Sequence, residues 1–96
     1  MLQILQSESY ADWFKRLRDD GAKTRTMLRI RRLSLGLFGD AKAVGAGVSE
    51  LRLDYGPGYR VYFIRKGESV IILLAGGDKR SQVRDIQRAI ALAKTI

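Results

Sequence analysis

The stretch that decides the fold runs from residue 48 to residue 64 and reads VSELRLDYGPGYRVYFI. Apolar and polar residues alternate on both sides of Gly56-Pro57-Gly58, which is the pattern of two half-buried strands joined by a turn. The leucines of the first strand share a face with the apolar residues of the second only if residue 51 pairs with residue 61 and residue 53 with residue 59. The connection therefore contains an odd number of residues or a bulge, rather than a two-residue turn.

The same register predicts a charged cluster on the opposite face of this hairpin. Arg52 faces Arg60 across the two strands, and Glu50 faces Tyr62. Two arginines in directly opposite positions repel each other, so folding alone gives no reason to keep them, whereas two planar guanidinium groups bind phosphate oxygens well. The alternative is a solvent-exposed ladder in which Glu50 and Asp54 neutralise the arginines. Both interpretations stay open at this point.

Before the hairpin, the spacing of apolar residues predicts a strand and two helices. Met1–Gln6 alternates weakly, as a short strand does, and a first helix follows a cap at Ser7 or Ser9. A second helix is predicted from about Ala22 to Leu35, and the glycine-rich residues 38–48 are expected to form an irregular connection. The apolar faces expected to pack on the core are Tyr10, Trp13, Phe14 and Leu17 in the first helix, and Met27, Ile30, Leu33 and Leu37 in the second.

After the hairpin, the unbroken apolar run Val70–Ala75 predicts a central strand that is covered on both faces. Gly76-Gly77 then lead to a last helix from Gln82 to about Lys94, with Ser81 as its expected cap. Glycines before a helix N-terminus also make an anion pocket plausible, because free backbone N–H groups converge there. The expected apolar stripe of this helix is Val83, Ile86, Ile90 and Ala93. The predicted fold is one α+β domain over residues 1–96, in the order β-α-α-β-β-β-α, with helices packed on a mainly antiparallel sheet.

Composition narrows the possible functions. The 96 residues carry 18 Lys and Arg against 10 Asp and Glu, which gives a net charge of +8, and the excess is divided equally between the two halves of the chain. There is no Cys and no His, so thiolate or imidazole chemistry is excluded. The longest uncharged apolar run is too short to cross a bilayer, and the first six residues lack the features of a signal peptide. We expect a soluble cytoplasmic protein that has anionic partners and makes no contact with membranes.

Three segments, VSELRL at 48–53, YGPGYRVYF at 55–63 and LLAGGDK at 73–79, resemble the addiction-module killer proteins of the RelE/ParE toxin superfamily, close to the HigB-like group. The resemblance implies a RelE-like fold and a small bacterial toxin that forms a hetero-oligomer with a cognate antitoxin, here a helix-turn-helix protein. Many relatives cut messenger RNA in the ribosomal A site, whereas ParE-type relatives poison DNA gyrase.

The resemblance also implies roles for individual residues. Arg52 and Arg60 match basic strand residues that hold the scissile phosphate in RelE-type nucleases, and Lys79 could add a further positive charge. Glu50 stands where RelE carries a basic residue proposed as general base, so it becomes the candidate proton acceptor. Arg84 stands where RelE has a functional tyrosine, and the acid-supplying histidine of some relatives has no counterpart. The remaining candidate RNA contacts are Tyr62 and Arg80, and no cofactor or metal is expected.

These inferences predict the toxin of a type II toxin–antitoxin system that cleaves mRNA, on the ribosome, without a metal ion. The alternatives are a non-enzymatic gyrase inhibitor of the ParE type and a basic nucleic-acid-binding module. The antitoxin is expected to place an acidic or amphipathic segment against the basic run Lys23–Arg32 or against the sheet. Arg60 is expected to be exposed, so that Arg60→Ala removes activity and leaves the fold intact.

Overall fold

A computed structural model describes all residues from 1 to 96 and contains five strands and three α-helices. In chain order they are β1 (Gln3–Gln6), α1 (Glu8–Arg16), α2 (Asp20–Ser34), β2 (Ala41–Gly45), β3 (Val48–Arg52), β4 (Arg60–Lys66), β5 (Val70–Gly77) and α3 (Gln82–Ala93), with a short 3₁₀ turn (Lys79–Ser81) before α3. The strands form one sheet in the order β1-β5-β4-β3-β2. The predicted α+β class is confirmed.

The register predicted for the central hairpin is confirmed. Arg52 pairs with Arg60, Leu51 with Val61, and Glu50 with Tyr62. The ladder continues into the connection, where the backbone N–H of Leu53 donates to the carbonyl of Tyr59 at 2.9 Å. Strands β4 and β5 are also antiparallel, whereas β1 runs parallel to β5 at the sheet edge. The sheet is therefore mainly antiparallel, as the alternation of residues 48–64 indicates.

The prediction of an irregular connection over residues 38–48 is wrong, because this segment contains strand β2, which was not predicted from the sequence. Strand β2 pairs antiparallel with β3 through a two-residue loop, Ala46-Gly47, since Gly45 pairs with Val48. Both loop residues have positive φ, 52° for Ala46 and 80° for Gly47, as the tight turns of hairpins require. Gly47, one of the glycines on which the prediction of irregular structure was based, is a residue of this tight turn.

The sheet carries a hydrophobic cluster on each face. Helices α1 and α2 cover one face, whose buried residues are Tyr10, Leu33, Leu51, Val61, Phe63, Ile71 and Leu73. Helix α3 covers the other face, whose buried residues are Val48, Tyr62, Ile64, Ile72, Leu74, Ala75 and Ala89. Strand β5 is thus buried on both sides, as its continuous apolar run predicts.

The helices lie where the sequence predicts them, but some of the residues predicted to face the core are exposed. Ser7 caps α1 by accepting a hydrogen bond from the backbone N–H of Tyr10 at 3.0 Å, as predicted. Trp13 packs against the first cluster and lies over Gly76, where a Cβ atom would meet its ring at 2.1 Å. The expected core positions Met27 and Leu37 are each 60% exposed, and Val83 is 74% exposed, so these three assignments are wrong.

No helix combines the length and apolar character that a membrane span requires.

Candidate phosphate-binding site

The two arginines predicted to bind phosphate meet at a buried carboxylate. The carboxylate of Glu50 lies between the two arginines. Its Oε1 atom is 3.8 Å from Arg52 Nε, and its Oε2 atom is 3.4 Å from Arg60 Nε. A negative charge between two guanidinium groups removes the repulsion that the cross-strand pairing of arginines would otherwise create. We call Glu50, Arg52, Arg60 and Tyr62 the Glu50 cluster.

The expectation that this face is solvent-exposed is wrong, because α3 packs across it. Glu50 and Tyr62 are fully buried, and Arg60 is only 9% exposed. Gln82, the first residue of α3, donates a hydrogen bond from Nε2 to Glu50 Oε2 at 2.9 Å. The ring of Tyr62 therefore has no surface on which an RNA base could stack, which corrects its predicted role as an RNA contact.

The Glu50 cluster contains every buried side-chain polar atom of the protein that lacks a hydrogen-bond partner. These atoms are Glu50 Oε1, Arg52 Nε, Arg60 Nε and the Tyr62 hydroxyl oxygen. Burial, together with the negative charge of Glu50, raises the pKa of Tyr62 well above its usual range, so the phenol keeps its proton at neutral pH. Buried polar atoms without hydrogen-bond partners are uncommon in proteins, and their concentration in one place marks a candidate binding or catalytic site.

Glu50 and Asp40 neutralise the arginines, rather than Glu50 and Asp54 as the surface-ladder alternative supposes. Asp40 Oδ1 lies 3.8 Å from Arg52 Nε, and Asp54 forms no ion pair.

The backbone at the end of β3 is held from the opposite side of the sheet, because Arg29 of α2 donates hydrogen bonds to the carbonyls of Arg52 at 2.5 Å and Asp40 at 3.3 Å. Arg29 therefore fixes the end of β3 from which Arg52 projects.

Lys79 lies next to Arg60 at the Gly58 turn. The backbone N–H of Lys79 donates to the Pro57 carbonyl at 3.3 Å, and Arg60 Nη1 donates to the Gly58 carbonyl at 2.8 Å. A Cβ atom on Gly58 would lie 3.2 Å from Arg60 Nη1 and 3.4 Å from Lys79 Cβ, so both residues border the same glycine. The structure thus brings together all four residues predicted to be catalytic, with Lys79 as the exposed member.

The other two predicted RNA contacts, Arg80 and Arg84, lie on the exposed side of the turn that leads into α3. With Lys79 and Gln87 they line an open groove of about 710 Å³. Arg80 pairs with Asp78 at 3.2 Å, whereas Arg84 has no ion-pair partner. The groove offers a basic path that continues outward from Lys79.

The anion pocket predicted at Gly76-Gly77 is filled by a carboxylate of the protein itself. A Cβ atom on Gly77 would fall 1.8 Å from Asp85 Oδ2, so the glycine is needed to admit Asp85 of α3. Ser81 donates its hydroxyl hydrogen bond to Asp85, and its side chain does not cap α3. Asp78 provides the local cap instead, through a hydrogen bond from the backbone N–H of Arg80 at 2.9 Å. The predicted anion pocket is therefore wrong, whereas Ser81 stands at the predicted N-cap position of α3 without making a side-chain capping hydrogen bond.

Sequence reasoning missed Gln82 and Asp85, the polar residues with which α3 contacts the charged face of the sheet. A signal was present, because Val48 and Ile64 alternate in step with Glu50 and Tyr62 and so belong to the same face. Apolar residues at both ends of a face indicate that something covers it. The spacing of Gln82, Asp85 and Ala89 marks the helix face that does so.

The fold and the site together define a small α+β protein with a basic, partly buried candidate site for an anionic group. A model of the family described as "Phage derived protein Gp49-like (DUF891)" matches residues 12–96. An uncharacterized protein of Haemophilus influenzae is 42% identical over 95 residues, which cover 99% of this chain and 96% of that protein. The chain belongs to the Gp49-like phage-derived protein family, a toxin family of toxin–antitoxin systems related to the RelE/HigB-type toxins.

Proposed function

We propose that this protein is the toxin of a type II toxin–antitoxin pair and that it inhibits translation by cleaving mRNA on the ribosome. Membership of a toxin–antitoxin family supports the first part. The observation that carries the second part is that Arg52 and Arg60 meet at one buried point, where their Nε atoms make ion pairs but no hydrogen bond, beside the exposed Lys79. Two guanidinium groups, with a lysine side chain that starts beside them, can match the charge that develops on a phosphate during strand cleavage.

Cleavage of this kind needs no metal ion. The ribose 2′-oxygen attacks the adjacent phosphorus while the bond from phosphorus to the 5′-oxygen breaks, which leaves a 2′,3′-cyclic phosphate and a 5′-hydroxyl end. In this proposal Arg52 and Lys79 bind the non-bridging oxygens of the phosphate, and the more buried Arg60 adds positive charge without touching them. The developing negative charge is stabilised by groups that are already in place.

The burial of Glu50 favours a positioning role over its predicted role as proton acceptor. Its carboxylate lies between two arginines and accepts a hydrogen bond from Gln82, so it fixes the direction of the guanidinium groups. The chain has no histidine, so removal of the proton from the 2′-hydroxyl and protonation of the 5′-oxygen depend on weaker catalysts or on the ribosome. A ribosome that holds the message in line for attack would compensate for this, which is why we place the reaction there.

The test uses Arg52→Ala and Lys79→Ala, because these two side chains are more exposed than Arg60. Each variant is induced in bacteria, growth is followed, and RNA 5′ ends are mapped across translated frames. Loss of one donor of this type costs on the order of 100-fold in rate, so both variants should lose growth arrest and RNA cuts together. Lys66→Ala is the matched control, because Lys66 is an exposed lysine at the other end of β4.

One observation favours the non-enzymatic alternative, a toxin that binds DNA gyrase as ParE-type proteins do. Glu50 and Asp40 already neutralise much of the arginine pair, which a protein-binding toxin would tolerate better than a nuclease. Scoring gyrase-linked DNA breaks in the same induced cultures separates the two functions. Fresh RNA ends without DNA breaks support the nuclease, and DNA breaks without RNA ends would replace it with the gyrase inhibitor.

A further inference from the structure

Helix α2 has a second apolar stripe, on the side that faces away from the sheet. Ala22, Thr26 and Leu33 form its buried side. A rotation of 100° per residue places Met27, Leu28 and Leu35 opposite them, together with Arg31. These apolar side chains are 60%, 54% and 51% exposed, which makes them three of the eight large hydrophobic residues exposed on the whole protein. Nothing in the chain covers this stripe, which we call the outer face of α2.

Positive charge surrounds the outer face. From Gly21 to Gly39 the chain carries five basic residues and no acidic one. Arg25 stacks on the ring of Tyr55 at 4.1 Å and Arg29 binds main-chain carbonyls, so both are engaged within the protein. Arg31 and Arg32 are exposed and form no ion pair. An occupant of this face would therefore meet apolar side chains flanked by free guanidinium groups.

An apolar groove adjoins the outer face where α2 lies beside α1 and the edge strand β1. It measures about 330 Å³, and Met27 and Arg31 form its rim. The apolar residues inside it are Ile4, Tyr10, Phe14 and Ile30. A groove beside an exposed ridge is the surface onto which the side chains of another helix pack.

We propose that the outer face of α2 and this groove bind an amphipathic, acidic helix of the cognate antitoxin. Apolar side chains of that helix, spaced three and four residues apart, pack on Met27 and Leu28, and its carboxylates face Arg31 and Arg32. Exposed methionine and leucine side chains favour a protein over an RNA backbone, because phosphate contacts leave apolar surface uncovered. The proposal rests on the toxin–antitoxin part of the proposed function and is independent of the ribonuclease activity.

The experiment measures binding of the purified chain to the protein encoded beside its gene, by calorimetric titration. Leu28→Glu places a negative charge in the apolar stripe, and Arg31→Glu reverses the charge beside it. Each should weaken binding by at least about tenfold, and added salt should weaken the wild-type complex. Val83→Glu is the matched control, because Val83 is a 74% exposed apolar residue on α3, and its affinity should equal that of the wild type.

Three outcomes would overturn the proposal. One is wild-type affinity for Leu28→Glu and Arg31→Glu, one is the absence of any complex with the wild-type chain, and one is a self-association that Leu28→Glu abolishes, since the occupant would then be a second copy. Circular dichroism confirms that the variants are folded, as the exposure of these positions leads us to expect. RNA cleavage in cells that express the Leu28→Glu variant without the antitoxin should equal that of the wild type, and a chain that cleaves no RNA at all leaves the binding result standing.

Discussion

Arg60→Ala should destabilise the protein as well as inactivate it. Arg60 is 9% exposed and lies 3.4 Å from the fully buried carboxylate of Glu50, so its loss leaves a buried charge with fewer partners. Breaking a buried ion pair from one side costs about 3–5 kcal/mol. Arg52 and Gln82 still contact Glu50, which places the cost at the lower end, about 3 kcal/mol. In a domain of this size that lowers Tm by roughly 12–24 °C.

Thermal and urea unfolding of the purified variants measure this loss. Arg65→Ala is the control, because Arg65 is an exposed arginine on the same strand, and it should cost less than about 1 kcal/mol. The double variant Glu50→Gln, Arg60→Gln removes both charges and should be more stable than the sum of the single effects implies. An Arg60→Ala protein as stable as Arg65→Ala would refute the idea that Glu50 depends on this arginine. The expectation that Arg60→Ala leaves the fold intact is corrected on the same ground.

Two further predictions concern residues that position the helices. Gln82→Ala removes the hydrogen bond to Glu50 and should lower the free energy of unfolding by about 1.5 kcal/mol in urea titrations, whereas Gln87→Ala, on the exposed side of α3, should have no effect. Asp19→Ala removes the cap of α2 and the carboxylate that accepts the Tyr55 hydroxyl hydrogen bond, so it should unfold at a lower temperature than Asp20→Ala at pH 7. The hydrogen bond from Tyr55 lowers the pKa of Asp19, so this stabilisation is complete above the ordinary carboxyl pKa and disappears as the pH falls through the lowered value. The difference between the wild type and Asp19→Ala should therefore shrink in acid, and a difference that stays constant with pH would contradict this assignment.

The sequence correctly predicts those parts of the fold that follow from the spacing of apolar residues alone. Alternation in residues 48–64 specifies the β3–β4 register to the residue, and the apolar run of β5 specifies a strand buried on both faces. Strand β2 was missed because Gly45 and Gly47 indicate irregular structure as readily as a tight turn. Only pairing with β3, a tertiary contact, distinguishes the two.

The sequence predicts which residues of the candidate site lie on the same face of the sheet, but it does not predict their burial. Alternation tells which side chains share a face, and it correctly grouped Glu50 with Arg52, Arg60 and Tyr62. It does not tell whether a helix covers that face, and charged residues usually indicate solvent. Burial of Glu50 depends on where the N-terminal end of α3 packs, and that end contacts the sheet through Gln82 and Asp85, polar residues that a search for an apolar stripe passes over.

The parallel pairing of β1 with β5 determines when the protein can be complete during its own synthesis. Gln3–Gln6 pairs with residues 70–73, and the Ser7 hydroxyl donates to the carbonyl of Leu74. The beginning of the chain must therefore wait for strand β5, while β2, β3 and β4 form from neighbouring residues. Lys79 and Gln82, which complete the candidate site, are made later still. The ribosome that synthesises this chain must therefore have made residues 1–82 before the surface proposed to act on ribosomes can form.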